Sequence, residues 1–153
     1  MSTVNKPDFA LVCKSYLGDI KRLERLLNSI PPHNTDNIPV FLIVPAEDLA
    51  SCQMHIRRTL TGSDTDYVWL TDEAVVAAHP QALKKNLLKK YKLTPGSISQ
   101  QIIKSEAWRA IGCAAYLSLD SDSVFIKPFR RSDFLSPSGA PYTVMHQAKD
   151  MYQ

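Results

Sequence analysis

Two aspartates stand one residue apart in the stretch YLSLDSDSVFIKP, residues 116–128. Asp120 and Asp122 follow an apolar run typical of a buried strand, and residues i and i+2 of an extended chain project to the same side. Two carboxylates this close repel each other unless one is protonated or a divalent cation lies between them. Their hard oxygens suit Mg²⁺, Mn²⁺ or Ca²⁺ rather than Zn²⁺, and the further acids and the glycine of an EF-hand loop are missing.

The Asp-Ser-Asp pattern leaves three interpretations open. The first is a pair of solvated acids at the end of a strand, after which Val124, Phe125 and Ile126 return the chain to apolar packing. The second is a phosphatase of the haloacid dehalogenase type with Asp120 as nucleophile, although that motif normally lies on the first strand of its fold. The third is a glycosyltransferase, in which the carboxylates hold a metal against the pyrophosphate of a nucleotide-sugar and the metal offsets charge on the leaving diphosphate.

Strand-like and helix-like segments alternate along the chain. Compact apolar runs predict buried strands at residues 9–16, 38–46, 66–70 and 116–119, with a last candidate at 141–146. Helical spacing of apolar residues predicts helices at 20–30 and 82–92. Further helices are predicted at 49–60 and 98–111, the last ending at Gly112. This alternation indicates an α/β domain with a mainly parallel sheet flanked by helices, in which ligands bind at the carboxyl ends of the strands. Asp48, Asp72 and the Asp120/Asp122 pair all follow strand ends.

A polar group also occurs on the helix that precedes the Asp-Ser-Asp strand. Gln100 and Lys104 are four residues apart and Gln101 and Lys104 are three apart, so the three side chains can share one side of a helix. Amides can bond sugar hydroxyls or a base, and an ammonium suits a phosphate. The alternative is an ordinary polar helix face.

Composition limits the class of protein. The 153 residues carry a net charge of +3 and 44% hydrophobic residues, as expected for one globular domain. The aromatic residues are not interleaved with the basic ones, so we expect no nucleic-acid partner. Three cysteines among apolar neighbours predict reduced, buried thiols. The polar start of the chain and the short apolar runs predict a cytoplasmic protein without a secretory leader or a transmembrane segment.

Four patches in order resemble a family of bacterial glycosyltransferases with the GT-A fold. They are SYxGD after the first strand, VPAEDL after the second, PGxxxQQxxK, and YLxLDSDxVFxKPF, and together they span residues 8–129. The resemblance implies a Rossmann-like GT-A fold with a single nucleotide-sugar-binding domain over residues 1–153 that lacks a complete acceptor-binding part. It implies a metal-dependent transfer of sugar from a nucleotide-diphospho-sugar to a polysaccharide or glycolipid acceptor, as in bacterial polysaccharide biosynthesis. A nucleotide-sugar-binding domain without transferase activity is the alternative.

The resemblance also assigns roles to residues of this chain. Asp120 and Asp122 would hold Mn²⁺ or Mg²⁺, with His146 a conceivable third ligand, and no catalytic base is indicated. The residues expected to contact the nucleotide-sugar are Lys14, Ser15, Tyr16, Asp19, Asp48, Gln100, Gln101, Lys104 and Ser121. For Asp19 an alternative role is that of an ordinary helix N-cap.

The run KKNLLKKYK, residues 84–92, is basic and amphipathic. Its period predicts a helix with Leu83, Leu87, Leu88 and Tyr91 on one side and lysines on the other. The simpler interpretation is a solvated face over a leucine stripe. The alternative is peripheral contact with an anionic membrane or a lipid-pyrophosphate acceptor. A chain this short for its class also raises the prospect of a homo-oligomer or a partner chain.

Overall fold

Four parallel strands form one sheet in a computed structural model that describes residues 6–60 and 67–142. The strands are β1 (Phe9–Lys14), β2 (Val40–Val44), β3 (Val68–Thr71) and β4 (Ala115–Leu119), and they lie in the order β3-β2-β1-β4. Every residue of the central strands β1 and β2 is buried, which is why both read as unbroken apolar runs. The predicted α/β fold with a mainly parallel sheet is confirmed, in a Rossmann-like arrangement.

Five α-helices flank the sheet in the part of the chain that the structure describes. They are α1 (Ile20–Ser29), α2 (Leu49–Thr59), α3 (Asp72–Ala77), α4 (Leu87–Lys92) and α5 (Gly96–Ile111). The longest, α5, has 16 residues and ends at Gly112, whose φ of 76° closes the helix as predicted. Within residues 6–60 and 67–142, no helix is long and apolar enough to cross a membrane.

The two faces of the sheet carry separate hydrophobic cores. Leu11 and Cys13 of β1 pack with α1, α2 and the aromatic segment around Phe129, whereas Val12 packs with α3 and α5. This division follows the strict alternation of side chains along a strand. All three cysteines are buried and free, as predicted.

The order of the strands creates a topological switch point between β1 and β4. From β1 the chain proceeds through α1 to β2 and through α2 to β3, with both helices on one face of the sheet. It then crosses the other face through α3, α4 and α5 and returns to β4 on the far side of β1. The loops that leave β1 and β4 therefore diverge, and such a divergence leaves a crevice at the carboxyl edge where α/β proteins bind ligands.

Two sequence-based expectations about packing were wrong, and one helix was not expected. The predicted helix at 82–92 begins only at Leu87, because Asn86 adopts a left-handed conformation (φ 48°) that interrupts a helix; Leu83 lies outside it, 97% exposed. Short α3, which follows β3 directly, was not predicted. Of the three apolar residues after the Asp-Ser-Asp turn, only Phe125 packs, against Phe129, while its two neighbours are exposed. The candidate strand at 141–146 lies almost wholly outside the described residues, as does His146.

Candidate functional site

The crevice between β1 and β4 is closed by a contact between their two loops. The hydroxyl of Ser121, after β4, donates a hydrogen bond to Asp19 Oδ2, which follows β1. Asp19 Oδ1 accepts from Arg22 at 3.0 Å. Asp19 occupies the N-cap position of α1 but makes no side-chain capping bond, so the carboxylate serves the crevice instead of the helix end.

Lys104 of α5 forms an ion pair with Asp120 on the other side of the same turn. The Lys104 side chain is 17% exposed and that of Asp120 is 67% exposed, so the pair runs from the protein outward to solvent. The Tyr116 hydroxyl donates to the backbone oxygen of Lys104, which ties α5 to β4 at this height. Lys104 therefore lies beside the turn that follows β4, at the crevice.

The two glutamines of the same helix differ in exposure. Gln100, one turn before Lys104, is half-buried beside the stripe of buried residues on α5, whereas Gln101 points outward and is exposed. The backbone oxygen of Gln101 accepts from the hydroxyl of Ser105. Gln100 thus shares the side of the helix that meets the crevice, and Gln101 lies further from it.

Asp122 is the exposed end of the turn. A hydrogen bond of 3.0 Å from Ser123 N to Asp120 O closes a turn after β4, so the two acids do not lie on the extended chain that was expected from the sequence, and Ser121 between them is buried. Within the described ranges, the Asp122 carboxylate has no hydrogen-bond or ion-pair partner, and no group of three or more His, Cys, Asp or Glu residues could hold a metal. Mg²⁺ sites commonly use one or two carboxylates and complete the shell with water and substrate phosphates, and Asp120 and Asp122 fit that chemistry.

A second polar group lies at the carboxyl edge on the side of α3 and α4. The Nζ atom of Lys14, at the end of β1, lies 3.1 Å from Asp72 Oδ2 and donates to the backbone oxygen of Ser15 at 2.7 Å. The Tyr91 hydroxyl of α4 donates to the same Asp72 oxygen at 2.5 Å. We call Lys14, Asp72 and Tyr91 the buried ion-pair cluster, since both charged side chains are at most 5% exposed.

Two buried oxygen atoms beside this cluster have no partner in the described chain. They are Asp72 Oδ1 and Ser15 Oγ. A buried polar atom without a hydrogen bond costs about 1–3 kcal/mol. The orphaned atoms therefore mark a place where a water or a ligand with donor groups gains free energy by binding.

The surroundings of the cluster shift three pKa values. Burial raises the pKa of Asp72, and the hydrogen bond from Tyr91 and the charge of Lys14 oppose that rise only in part. Burial and the neighbouring Asp72 raise the pKa of Tyr91. Burial raises the pKa of the Cys13 thiol to about 12, and the charges of Lys104, Asp120, Asp19 and Lys14 all act on it. Charged residues of both polar groups thus act on the thiol of Cys13 in β1.

The loop after β1 is held in place by Asp48 and by a glycine. Leu17 N donates to Asp48 Oδ2 at 2.9 Å, so the acid after β2 fixes the neighbouring loop. Tyr16 is exposed, and its ring lies so close to Gly18 that a Cβ there would meet a ring carbon at 2.5 Å. A side chain at residue 18 would therefore displace the exposed tyrosine ring from this position.

An open cleft of about 380 Å³ adjoins the buried ion-pair cluster. This volume lies within the range of small-molecule sites. Its walls come from the segment after β2, the start of α3, the end of α4 with the residues that follow it, and the start of α5. The lining residues are Pro45, Glu47, Asp72, Glu73, Tyr91, Lys92, Thr94 and Ser99.

Two members of this site were not expected from the sequence. Asp72 was noted as an acid after a strand but not assigned to the site, and Tyr91 was expected on the apolar side of a helix. The signal for Asp72 was its position directly after β3; Tyr91 offered none, because its partner is nineteen residues away in the chain.

A four-stranded parallel sheet with charged side chains at its carboxyl edge and a switch point between β1 and β4 defines a Rossmann-like α/β protein. Comparison with protein families matches residues 9–153 to DUF6492, a family of unknown function, and the chain belongs to that family. Searches of curated proteins and of solved structures found no match.

Proposed function

We propose that this chain is the donor-binding domain of a metal-dependent glycosyltransferase. The domain would bind a nucleotide-diphospho-sugar at the carboxyl edge of the sheet, and the enzyme would transfer the sugar to a saccharide or glycolipid acceptor. The observation that carries the proposal is the junction at the switch point, where Ser121 contacts Asp19 and Asp120 contacts Lys104. Acids and a lysine from three separate segments meet at the position where the fold class binds ligands.

The charges of the crevice suit a diphosphate bound with a metal. Asp120 and Asp122 would hold Mn²⁺ or Mg²⁺, and the metal, when bound, would neutralise charge on the diphosphate leaving group. Lys104 can exchange its contact with Asp120 for a phosphate oxygen because Asp120 is largely exposed. The bond from Ser121 to Asp19 holds the backbone of the turn that carries both acids.

The nucleoside would lie in the open cleft beside the buried ion-pair cluster. Asp72 Oδ1, in the wall of this cleft, lacks a partner, as does Ser15 Oγ at the end of β1. Tyr16 does not line the cleft but is exposed on the loop after β1, where it can stack on a base. Lys14 is enclosed by Asp72 and the backbone of Ser15, so we assign it the role of positioning these two residues instead of contacting phosphate. Asp48 acts in the same way on the loop that carries Tyr16.

The test is a thermal-shift panel of nucleoside diphosphates and diphospho-sugars, with and without Mn²⁺. A ligand at about one hundred times its Kd stabilises the native state by about 2.7 kcal/mol. For a chain of this size that raises Tm by roughly 5–11 °C. The rise should require Mn²⁺ and should disappear in Asp122→Ala.

Asp8→Ala is the matched control, since Asp8 is an exposed acid just before β1, at the opposite edge of the sheet. It should bind as the parent chain does. Stabilisation that is equal in Asp122→Ala and the parent contradicts the metal assignment. Release of nucleoside diphosphate with sugar transfer identifies a transferase, whereas binding without transfer identifies a nucleotide-sugar-binding domain. A phospho-aspartate at Asp120 formed from a simple phosphate monoester would instead support a phosphatase.

A further inference from the structure

We propose that the surface formed by residues 83–93 and the adjoining side of α5 docks on an anionic lipid membrane. The proposal does not rest on sugar transfer, and its test uses vesicles without a nucleotide-sugar. We call residues 83–93 the basic segment.

The charge of the basic segment is of one sign. Residues 74–105 contain six lysines and no aspartate, glutamate or arginine. Five of the lysines lie within the basic segment, and all five are exposed: Lys84, Lys85, Lys89, Lys90 and Lys92. Each lysine near an anionic membrane surface contributes about 1 kcal/mol, which corresponds to about a fivefold change in partitioning.

Large aliphatic side chains near these lysines are exposed to solvent. Leu83 is 97% exposed and Leu93 is 78% exposed, and Leu88, Ile98 and Ile102 are also exposed. Five exposed leucine and isoleucine side chains thus lie within residues 83–102, the same part of the chain that carries the lysines. Basic residues beside exposed leucines are the combination that binds at the headgroup boundary of a membrane.

A small apolar cavity joins the two helices of this surface. It has a volume of about 150 Å³ and lies between α4 and α5, with α3 as its floor. Leu87, Lys90 and Tyr91 of α4 line it, as do Ile102, Ile103 and Glu106 of α5, and the Glu106 carboxylate is paired with Arg109 at 2.6 Å. Lys90 therefore lies at the wall of an apolar cavity that is too small for a lipid chain, so docking depends on the exposed lysines and aliphatic side chains. Tyr91 joins the same helix to Asp72, so a docked α4 keeps the carboxyl edge of the sheet close to the membrane.

Two other occupants fit the surface less well. Single-stranded nucleic acid is bound by exposed aromatic rings between basic residues, and the sole aromatic residue of the basic segment, Tyr91, is half-buried with its hydroxyl on Asp72. A second copy of this chain about a two-fold axis would place the lysines of one copy against those of the other, because such an interface uses the same patch twice.

The test is flotation with vesicles of phosphatidylcholine alone or with added phosphatidylglycerol. The parent chain should float only with the anionic vesicles, and raising the salt from about 0.1 M to about 1 M should weaken its binding. Changing Lys84, Lys85, Lys89 and Lys90 to Gln should reduce partitioning at least about a hundredfold, whereas the same four positions changed to Arg should keep it.

The matched control removes the same charge from another face. Lys21, Arg25, Arg57 and Arg58 are exposed on α1 and α2, across the sheet from the basic segment. Changing these four to Gln lowers the net charge equally and should leave most vesicle binding intact. Equal losses in the two quadruple variants would mean non-specific attraction by net charge and would overturn the proposal.

A second variant tests the leucines while the charge stays constant. Leu83→Ser with Leu93→Ser should lower vesicle partitioning at least tenfold and abolish the part of binding that survives high salt. Three outcomes would contradict the proposal. The leucine variant could bind vesicles as the parent chain does, or the parent chain could bind phosphatidylcholine vesicles as strongly as anionic ones. The parent chain could also bind single-stranded DNA as strongly as it binds anionic vesicles. A parent chain that forms a stable dimer, together with a leucine variant that is monomeric, would also contradict the proposal.

Discussion

Lys14 Nζ lies 3.1 Å from Asp72 Oδ2, and this ion pair joins the carboxyl ends of β1 and β3 although β2 lies between them in the sheet. Both side chains are almost fully buried, so each charge depends on the other for compensation. The pair also holds the Ser15 backbone through Lys14 and the α4 helix through Tyr91. The ion pair therefore organises the edge of the sheet where a ligand would bind.

Removal of one partner of this pair should destabilise the fold strongly. Lys14→Met leaves a buried carboxylate without a cation, and we expect the free energy of unfolding to fall by about 3–5 kcal/mol. The double variant Lys14→Met with Asp72→Asn removes both charges and should recover part of the loss. Urea unfolding of both single variants and the double variant gives the coupling free energy. Additive losses would show that the two side chains do not interact.

The raised pKa of Asp72 predicts a pH dependence of stability with a definite sign. Because burial raises the pKa above the ordinary value of 3.8, the folded chain binds a proton at Asp72 more tightly than the unfolded chain does. The contribution of Asp72 to the unfolding free energy is therefore greatest below pH 3.8 and falls as pH rises to the folded-state pKa.

Asp72→Asn lacks this ionisation. As pH rises from 3.8 to the folded-state pKa of Asp72, the unfolding free energy of the parent chain should fall relative to that of Asp72→Asn. Asp8→Asn, at an exposed acid, serves as control. A difference between parent and Asp72→Asn that is constant across this interval, or that increases with pH, contradicts the assignment.

Lys104 should oppose metal binding and favour nucleotide binding. Its ammonium contacts Asp120, and a unit charge about 4 Å away changes the energy of another by about 1 kcal/mol in water. Lys104→Met should therefore bind Mn²⁺ alone at least about fivefold more tightly, yet bind a nucleoside diphosphate with Mn²⁺ more weakly. Titration calorimetry measures both, with exposed Lys21→Met as control. Unchanged Mn²⁺ affinity would exclude Asp120 as a ligand.

The three thiols should resist modification in the native chain. All are buried, and with the pKa of Cys13 raised to about 12, about one Cys13 side chain in ten thousand is a thiolate at pH 8. Burial raises the pKa values of Cys52 and Cys113 as well. An aromatic disulfide reagent should react with three thiols in guanidinium and with almost none without it. Fast reaction of one thiol in the native chain would contradict the burial described.

The sequence predicted the fold well, because local patterns of apolar and polar residues indicate buried strands and amphipathic helices. Unbroken apolar runs marked β1 and β2, which are covered on both faces, and the period of α1 marked its buried side. The helix around Leu87 was predicted too long, because the left-handed backbone of Asn86 and the exposure of Leu83 depend on neighbours that periodicity does not record.

At the Asp-Ser-Asp turn, the sequence alone determined that two acids follow a buried strand and that Gln100, Gln101 and Lys104 could share a helix side. The tertiary structure decided what each side chain meets: Asp120 meets Lys104, Ser121 meets Asp19, and Asp72 meets Lys14 and Tyr91. Ser121 and Asp19 are 102 residues apart in the chain, and Asp72 is far from Lys14. Such contacts arise from the order of strands in the sheet, because that order brings distant loops to one edge, and no local pattern of residues specifies it.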